Sequence, residues 1–149
     1  MARIPNATAH AVDWTIGGGD VPGEADRVLV DAPCSGTGTL RRRPDMLRRL
    51  QPEDVARLAA KQLAVTRRAA ACARSGARVL YAVCSVLKEE CEDVASALAE
   101  PSRGVRLVPA PLGVAGLAGI SPGDSQARLL PHLHGTDGYF LAAFTVGDP

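Results

Sequence analysis

Aromatic residues are scarce in this sequence: Trp, Tyr and Phe together make up 3% of its 149 residues. A core built from it must rest on Ala, Val and Leu. Cysteine is limited to positions 34, 72, 84 and 91, with no CxxC pair, and only three histidines occur. That combination argues against a zinc site. The opening segment "MARIPNATAH" has no apolar stretch after Arg3, so no cleavable secretion signal is expected. Without one, a disulfide framework is not expected either. No apolar run approaches the length of a membrane span, so no membrane partner is expected and the expected compartment is the cytoplasm. Net charge is +1, which by itself points to no partner. What remains is 46% hydrophobic and 22% charged, the composition of one ordinary domain over residues 1–149 that is long enough to bury a core.

Charge is unevenly spread. "LRRRPDMLRR" sets Arg41, Arg42, Arg43, Arg48 and Arg49 within one short stretch. Such a cluster suits either a solvated helix entry or a grip on a phosphate backbone. Apolar patterning predicts strands alternating with helices. "ATAHAVDW", residues 7–14, reads as a short strand and "TIGGGDVPGEAD" as a loop. The Gly17–Gly19 run lacks GxGxxG and opens no helix, so it is not read as a cofactor loop. "RVLVDA" is a continuous apolar run that predicts a fully buried parallel strand. A helix is predicted from Gln51, with Pro52 at its first position and Glu53 and Asp54 at the positive end of the macrodipole. Val55, Leu58, Ala59, Gln62, Leu63 and Thr66 mark one face, and Ser75-Gly76 marks its end.

"ARVLYAVCS" predicts another buried strand. "KEECEDVASALAE" predicts a second helix, with Glu89 and Glu90 at its start and Pro101 beyond its end. "GVRLVPA" and "GYFLAAFTV" read as strands, with a long Gly- and Pro-rich loop over 111–138 between them. His132 and His134 in that loop have no partner cluster and read as loop residues. The succession predicts an α/β fold with a mainly parallel sheet. Ligands of such sheets bind beyond the carboxyl ends of the strands. Asp13, Asp31 to Cys34, and Cys84-Ser85 all fall at that edge.

A thiol in that position is either a nucleophile or a small hydrophobe filling a tight loop. Two thiols, each closing a strand and each followed by Ser, favour chemistry. "DAPCSGTG" at 31–38, followed by "RRRPD", resembles the fourth motif of the Sun/Fmu-type (NOL/NOP/Sun) RNA cytosine-carbon-5 methyltransferases. "YAVCSVLKEE" at 81–90 resembles their sixth motif. "LPHLHGTDGYFLAAF" resembles the closing segment of the same domain, and "HAVDW" the strand that ends on an adenine-facing Asp. The resemblance runs in order over nearly the whole chain.

It implies S-adenosylmethionine as methyl donor and an accessible RNA cytosine, in ribosomal or transfer RNA with ribosomal RNA favoured, as substrate. It also implies roles: Cys84 as the thiol that adds to the base, Cys34 as the thiol that helps release the product, and Asp31 beside both methyl donor and base. Asp13 then receives the adenine amino group, the alternative being a loop residue. Pro33 shapes the turn, and Arg41, Arg42, Arg43 and Arg48 hold RNA phosphates. Val83 and Cys91 stand where the family commonly has Thr and Asn. The family's Gly-rich first motif and its second strand have no counterpart in this sequence. The implied fold is therefore a partial Rossmann-like methyltransferase: the C-terminal portion of a class I catalytic domain, mainly parallel, with an antiparallel last strand and the first two strands missing. A separate N-terminal half carrying the cofactor loop is a candidate partner, pairing with a bare edge of "RVLVDA". The competing readings are a non-catalytic remnant that binds RNA or a partner chain, and a thiol hydrolase or redox protein, which the lack of a placed His and of CxxC disfavours.

Overall fold

The computed structural model describes residues 5–17, 21, 23–102 and 104–148. Gly18 and Gly19 of the glycine run lie outside them. In order come β1 (Ala25–Asp31), α1 (Pro52–Ala71), β2 (Ala73–Val83), α2 (Glu92–Ala99), β3 (Leu107–Pro109), β4 (Gln126–Leu129), the single turn α3 (Pro131–His134) and β5 (Tyr139–Val146). The sheet order is β1-β2-β5-β3, and β4 shares the outer edge of β5 with β3. β1 and β2 pair parallel, and every pairing of β5 is antiparallel. Four strands thus run one way and the last runs against them, as expected for this fold class.

Period-2 alternation decides what each strand buries. Val79, Tyr81 and Val83 of β2 lie opposite Phe144, Ala142 and Phe140 of β5 on one face. These six, with Val30, Val94 and Leu98, form the core. Alanine and valine dominate it, but Tyr81, Phe140 and Phe144 are its largest fully buried side chains. Three of the five aromatics are spent at the centre. Both long helices lie on this face.

The structure corrects several expectations. Residues 7–13 form no strand, and a turn follows at 14–16. No described strand lies beside them to accept their backbone hydrogen bonds. "RVLVDA" is buried on one face only, because no helix among the described residues covers the other, and Leu29 is 69% exposed there. α1 stops at Ala71, and β2 begins at Ala73, before Gly76. Ala73 pairs with Ala25 and the register then slips at a bulge before Arg27↔Arg78. The predicted 111–138 loop holds β4 and α3. Four residues without alternation give β4 no signal of its own; the free edge of β5 makes it a strand.

Candidate active site

The parallel register brings Asp31 level with Ala82, so β1 and β2 end together. Their pairing continues past the strands. Ala32 N–H donates to Ala82 O at 3.0 Å, and Gly38 N–H donates to Cys84 O at 3.0 Å. The two departing segments therefore run side by side. Cys34 Sγ lies 3.4 Å from Cys84 Sγ, and both thiols are half-buried. A third segment crosses them, where Gly138 N–H donates to Gly38 O at 2.9 Å. A Cβ on Gly38 would stand 2.0 Å from Gly138 O, so only glycine lets the backbones meet.

Beneath the thiols lies a buried polar cluster. The Glu90 carboxylate is fully buried. Its Oε1 accepts from Ser35 N–H (2.8 Å) and Gln62 Nε2–H (3.0 Å). Its Oε2 accepts from the hydroxyls of Ser35 (2.5 Å) and Ser85 (2.6 Å). Gln62 also donates to Pro33 O at 3.0 Å. The Tyr81 hydroxyl faces Gln62 Oε1 at 2.9 Å and Glu90 O at 2.6 Å. The expectation that Glu90 starts a helix is thus corrected. Lys88–Glu90 form a 3-10 turn, α2 begins at Glu92, and Glu90 turns inward because four donors wait there.

Burial, together with the Cys84 contact, pushes the Cys34 thiol up to about 12. Cys34 therefore keeps its proton at neutral pH. Cys91 is wholly buried, its Sγ 3.5 Å from Ser85 O, and burial pushes it up to about 12 as well.

The other expected site residues are spread around this centre. Asp31 is exposed at the end of β1, its carboxylate with no hydrogen-bond partner among the described residues. It lines a pocket of about 380 Å³ with Trp14, Val21 and Val28. Pro33 is exposed and offers its carbonyl to Gln62. Asp13 closes a turn, its Oδ1 accepting from Thr15 N–H (2.8 Å) and Thr15 Oγ1–H (2.6 Å), and the Thr15 hydroxyl holds it below the usual carboxylate range. It lines a different pocket from the one beside Cys34. Arg42 pairs with buried Asp137, and Arg41 approaches the same carboxylate at 3.7 Å. Arg43 lines a pocket of about 260 Å³ with Arg49 and Arg57, reaching Cys34 and Ser35. Arg48 is exposed and does not line that pocket. His134 is structural: Nδ1 accepts from Leu130 N–H at 2.9 Å and Nε2 donates to Ala118 O at 3.0 Å. No cluster that could hold a metal ion occurs among the described residues.

Two thiols meet at the carboxyl edge of the parallel strands, the place where ligands of such sheets bind. A profile of the 16S rRNA methyltransferase RsmB/F family matches residues 2–145. The chain belongs to that family. It is 48% identical over 77 residues to the ribosomal RNA small subunit methyltransferase B of Thermus thermophilus, covering 52% of this chain and 19% of that one. It is 36% identical over 136 residues to the mouse 28S rRNA (cytosine-C(5))-methyltransferase, covering 83% and 17%. Among solved structures, NSun6 from Pyrococcus horikoshii with SFG shares the fold at a TM-score of 0.74 and 24% identity, covering 98% and 36%. The chain spans about a quarter of the length of the curated relatives it matches.

In this RsmB/F-family chain, reading the sequence alone missed Glu90, Tyr81 and Asp137 as site residues. One signal was present: Gln62 and Thr66 are polar residues on the apolar stripe of α1. A polar side chain facing a core needs a buried partner. Gln62 finds two acceptors, whereas Thr66 Oγ1 finds no partner among the described residues.

Proposed function

We propose that this RsmB/F-family chain is the cysteine-bearing part of an S-adenosylmethionine-dependent methyltransferase acting on carbon 5 of cytosine in RNA, ribosomal RNA above all. The 3.4 Å approach of Cys34 and Cys84 at one sheet edge carries the reading. Carbon 5 of cytosine is a poor nucleophile. A Cys84 thiolate adding at carbon 6 forms an S–C bond and makes carbon 5 electron-rich. S-adenosylmethionine, when bound, supplies the electrophilic methyl group. The methylated ring then loses its carbon-5 proton to Cys34. The S–C bond breaks, aromaticity returns, and Cys84 leaves as a thiolate.

The thiol contact supports this division of labour. Burial chiefly holds the proton on Cys34, and the hydrogen bond and charge of Cys84 add to that hold. Once Cys84 is a thioether, the Cys84 contribution falls away while burial stays. Cys34 then releases its proton to solvent more readily than before, which favours its use as the base at the step that needs one. Asp31 is the open carboxylate at this edge, suited to the cofactor and to the cytosine amino group. Asp13, whose Oδ2 its turn leaves free, would receive the adenine amino group, and Pro33 would aim the Cys34 turn. Arg43, lining the pocket beside Cys34, would meet a phosphate of the flipped nucleotide. Arg41, Arg42 and Arg48 would hold flanking phosphates, the first two steadied by Asp137. An RNA substrate of this kind suits the cytoplasm. The open edge of β1 suits a further strand from a half that carries the cofactor loop, joined or separate.

The test is trapping with RNA containing 5-fluorocytosine, methyl donor and the N-terminal half of the catalytic domain. A covalent adduct is expected. Cys84→Ser abolishes it, and Cys34→Ser lets adducts build up on ordinary cytosine. An adduct that survives Cys84→Ser overturns the nucleophile assignment. RNA binding without any adduct would make the chain a non-catalytic remnant.

A further inference from the structure

We infer that Glu90 is a positioning residue that sets the spacing of the two thiols. Its catalytic meaning rests on the methyltransferase reading; the positioning rests on geometry alone. A carboxylate removed from water is expensive, and an apolar side chain of similar volume is commonly no worse for folding. Glu90 has no cation within pairing distance among the described residues. It is compensated by four hydrogen bonds instead. Three of them come from Ser35 and Ser85, the residues that directly follow Cys34 and Cys84.

The arrangement is a clamp. Both serine hydroxyls converge on one oxygen, Oε2. Ser35 is held twice, by its N–H on Oε1 and its hydroxyl on Oε2, so its backbone cannot turn independently. Gln62, bound to the same Oε1, holds Pro33 O on the other side of Cys34. The peptides flanking Cys34 are therefore both fixed to the element that fixes Ser85. Glu90 touches neither thiol within hydrogen-bond reach and acts through its neighbours. Glutamine in its place would present an N–H₂ to at least one donor and leave that donor unpaired.

Oxidative cross-linking reads the thiol spacing without RNA or cofactor. With diamide, Cys34 and Cys84 lose two protons and two electrons, diamide becomes the hydrazine, and an S–S bond forms. The full chain should give this bond readily, as seen by peptide mass mapping, since two sulfurs at 3.4 Å have little distance to close. Glu90→Gln should slow cross-linking by about tenfold, the size of one charge-assisted hydrogen bond lost. Leu98→Ala, a core variant that removes none of the clamp's hydrogen bonds, serves as the stability control and should cross-link at the wild-type rate. Should Glu90→Gln fail to fold, Ser35→Ala and Ser85→Ala each remove one arm and should each slow the reaction. Wild-type rates in the folded clamp variants, or equal slowing in Leu98→Ala, would overturn the positioning role. With the N-terminal half and RNA present, Glu90→Gln should lower kcat by about a hundredfold, as misplacement of reacting groups does, and leave KM for RNA little changed. Slowed cross-linking without any methylation by the wild type would leave the clamp standing and remove the methyltransferase reading.

Discussion

Cys34 and Cys91 are held as thiols chiefly by burial, both up to about 12 against an ordinary 9.0. Tyr81 is pushed up for the same reason. Each raised group favours the folded state fully below its unfolded value, and that contribution fades as pH climbs toward the folded value. Stability should therefore fall from about pH 9 upward, where the unfolded chain sheds protons the folded chain keeps. Urea midpoints under reducing conditions across that range should show the decline. Cys91→Ala should make it shallower, whatever it does to stability at neutral pH. An unchanged slope would show that burial of this thiol is not what the alkaline limb reports.

At the level of elements, β4 depends on partners rather than on its own pattern. Its Arg128 grips Glu92 at the start of α2 with two nitrogens, Nε to Oε1 at 2.6 Å and Nη2 to Oε2 at 2.5 Å. Nη1 reaches Val86 O at 3.0 Å, and the guanidinium lies 5.7 Å over the Phe140 ring. The short strand is so tied to the loop that follows Cys84. Arg128 holds Glu92 below the usual carboxylate range. A lowered carboxylate stabilises above its unfolded value, and the contribution is lost as pH falls through the folded one. Arg128→Met should lower stability by about 1 kcal/mol at neutral pH, since the pair is partly exposed. The same variant should lose less on acidification, measured by thermal melts from neutral pH to about pH 3.

The molecule as a whole is finished on one side only. α1 and α2 cover the face that carries Val79, Tyr81 and Phe144. The other face opens into a groove of about 520 Å³ lined by Leu29, Leu80, Leu112, Val114 and Leu141. β1 stands beside it with no strand on its outer edge among the described residues. An apolar face next to an unpaired edge invites a further strand. On the docking of an N-terminal half proposed above, Leu29→Lys should weaken its capture by about tenfold or more, read by sedimentation or titration calorimetry, and reduce self-association of the chain alone. Unchanged capture would move the docking site away from β1.

Much of this architecture was legible in the sequence for local reasons. Apolar runs ending in "DAPCS" and "VCS" specify where two strands stop. The 3.6-residue stripe from Val55 to Thr66, begun by Gln51-Pro52, specifies α1. These are properties of neighbouring residues, and neighbouring residues suffice to read them. The tertiary structure alone decided the rest. Glu90 and Glu89 are indistinguishable in the sequence, yet one is buried among four donors and the other faces solvent. β4 exists because β5 has an edge to offer, and residues 7–13 are no strand because nothing among the described residues pairs with them. The meeting of Cys34 with Cys84 is also tertiary: it needs parallel pairing in one register, and a slip of one residue would turn the strands' side chains to opposite faces. A chain's own pattern names its candidates, but only contacts between distant segments choose which of them meet.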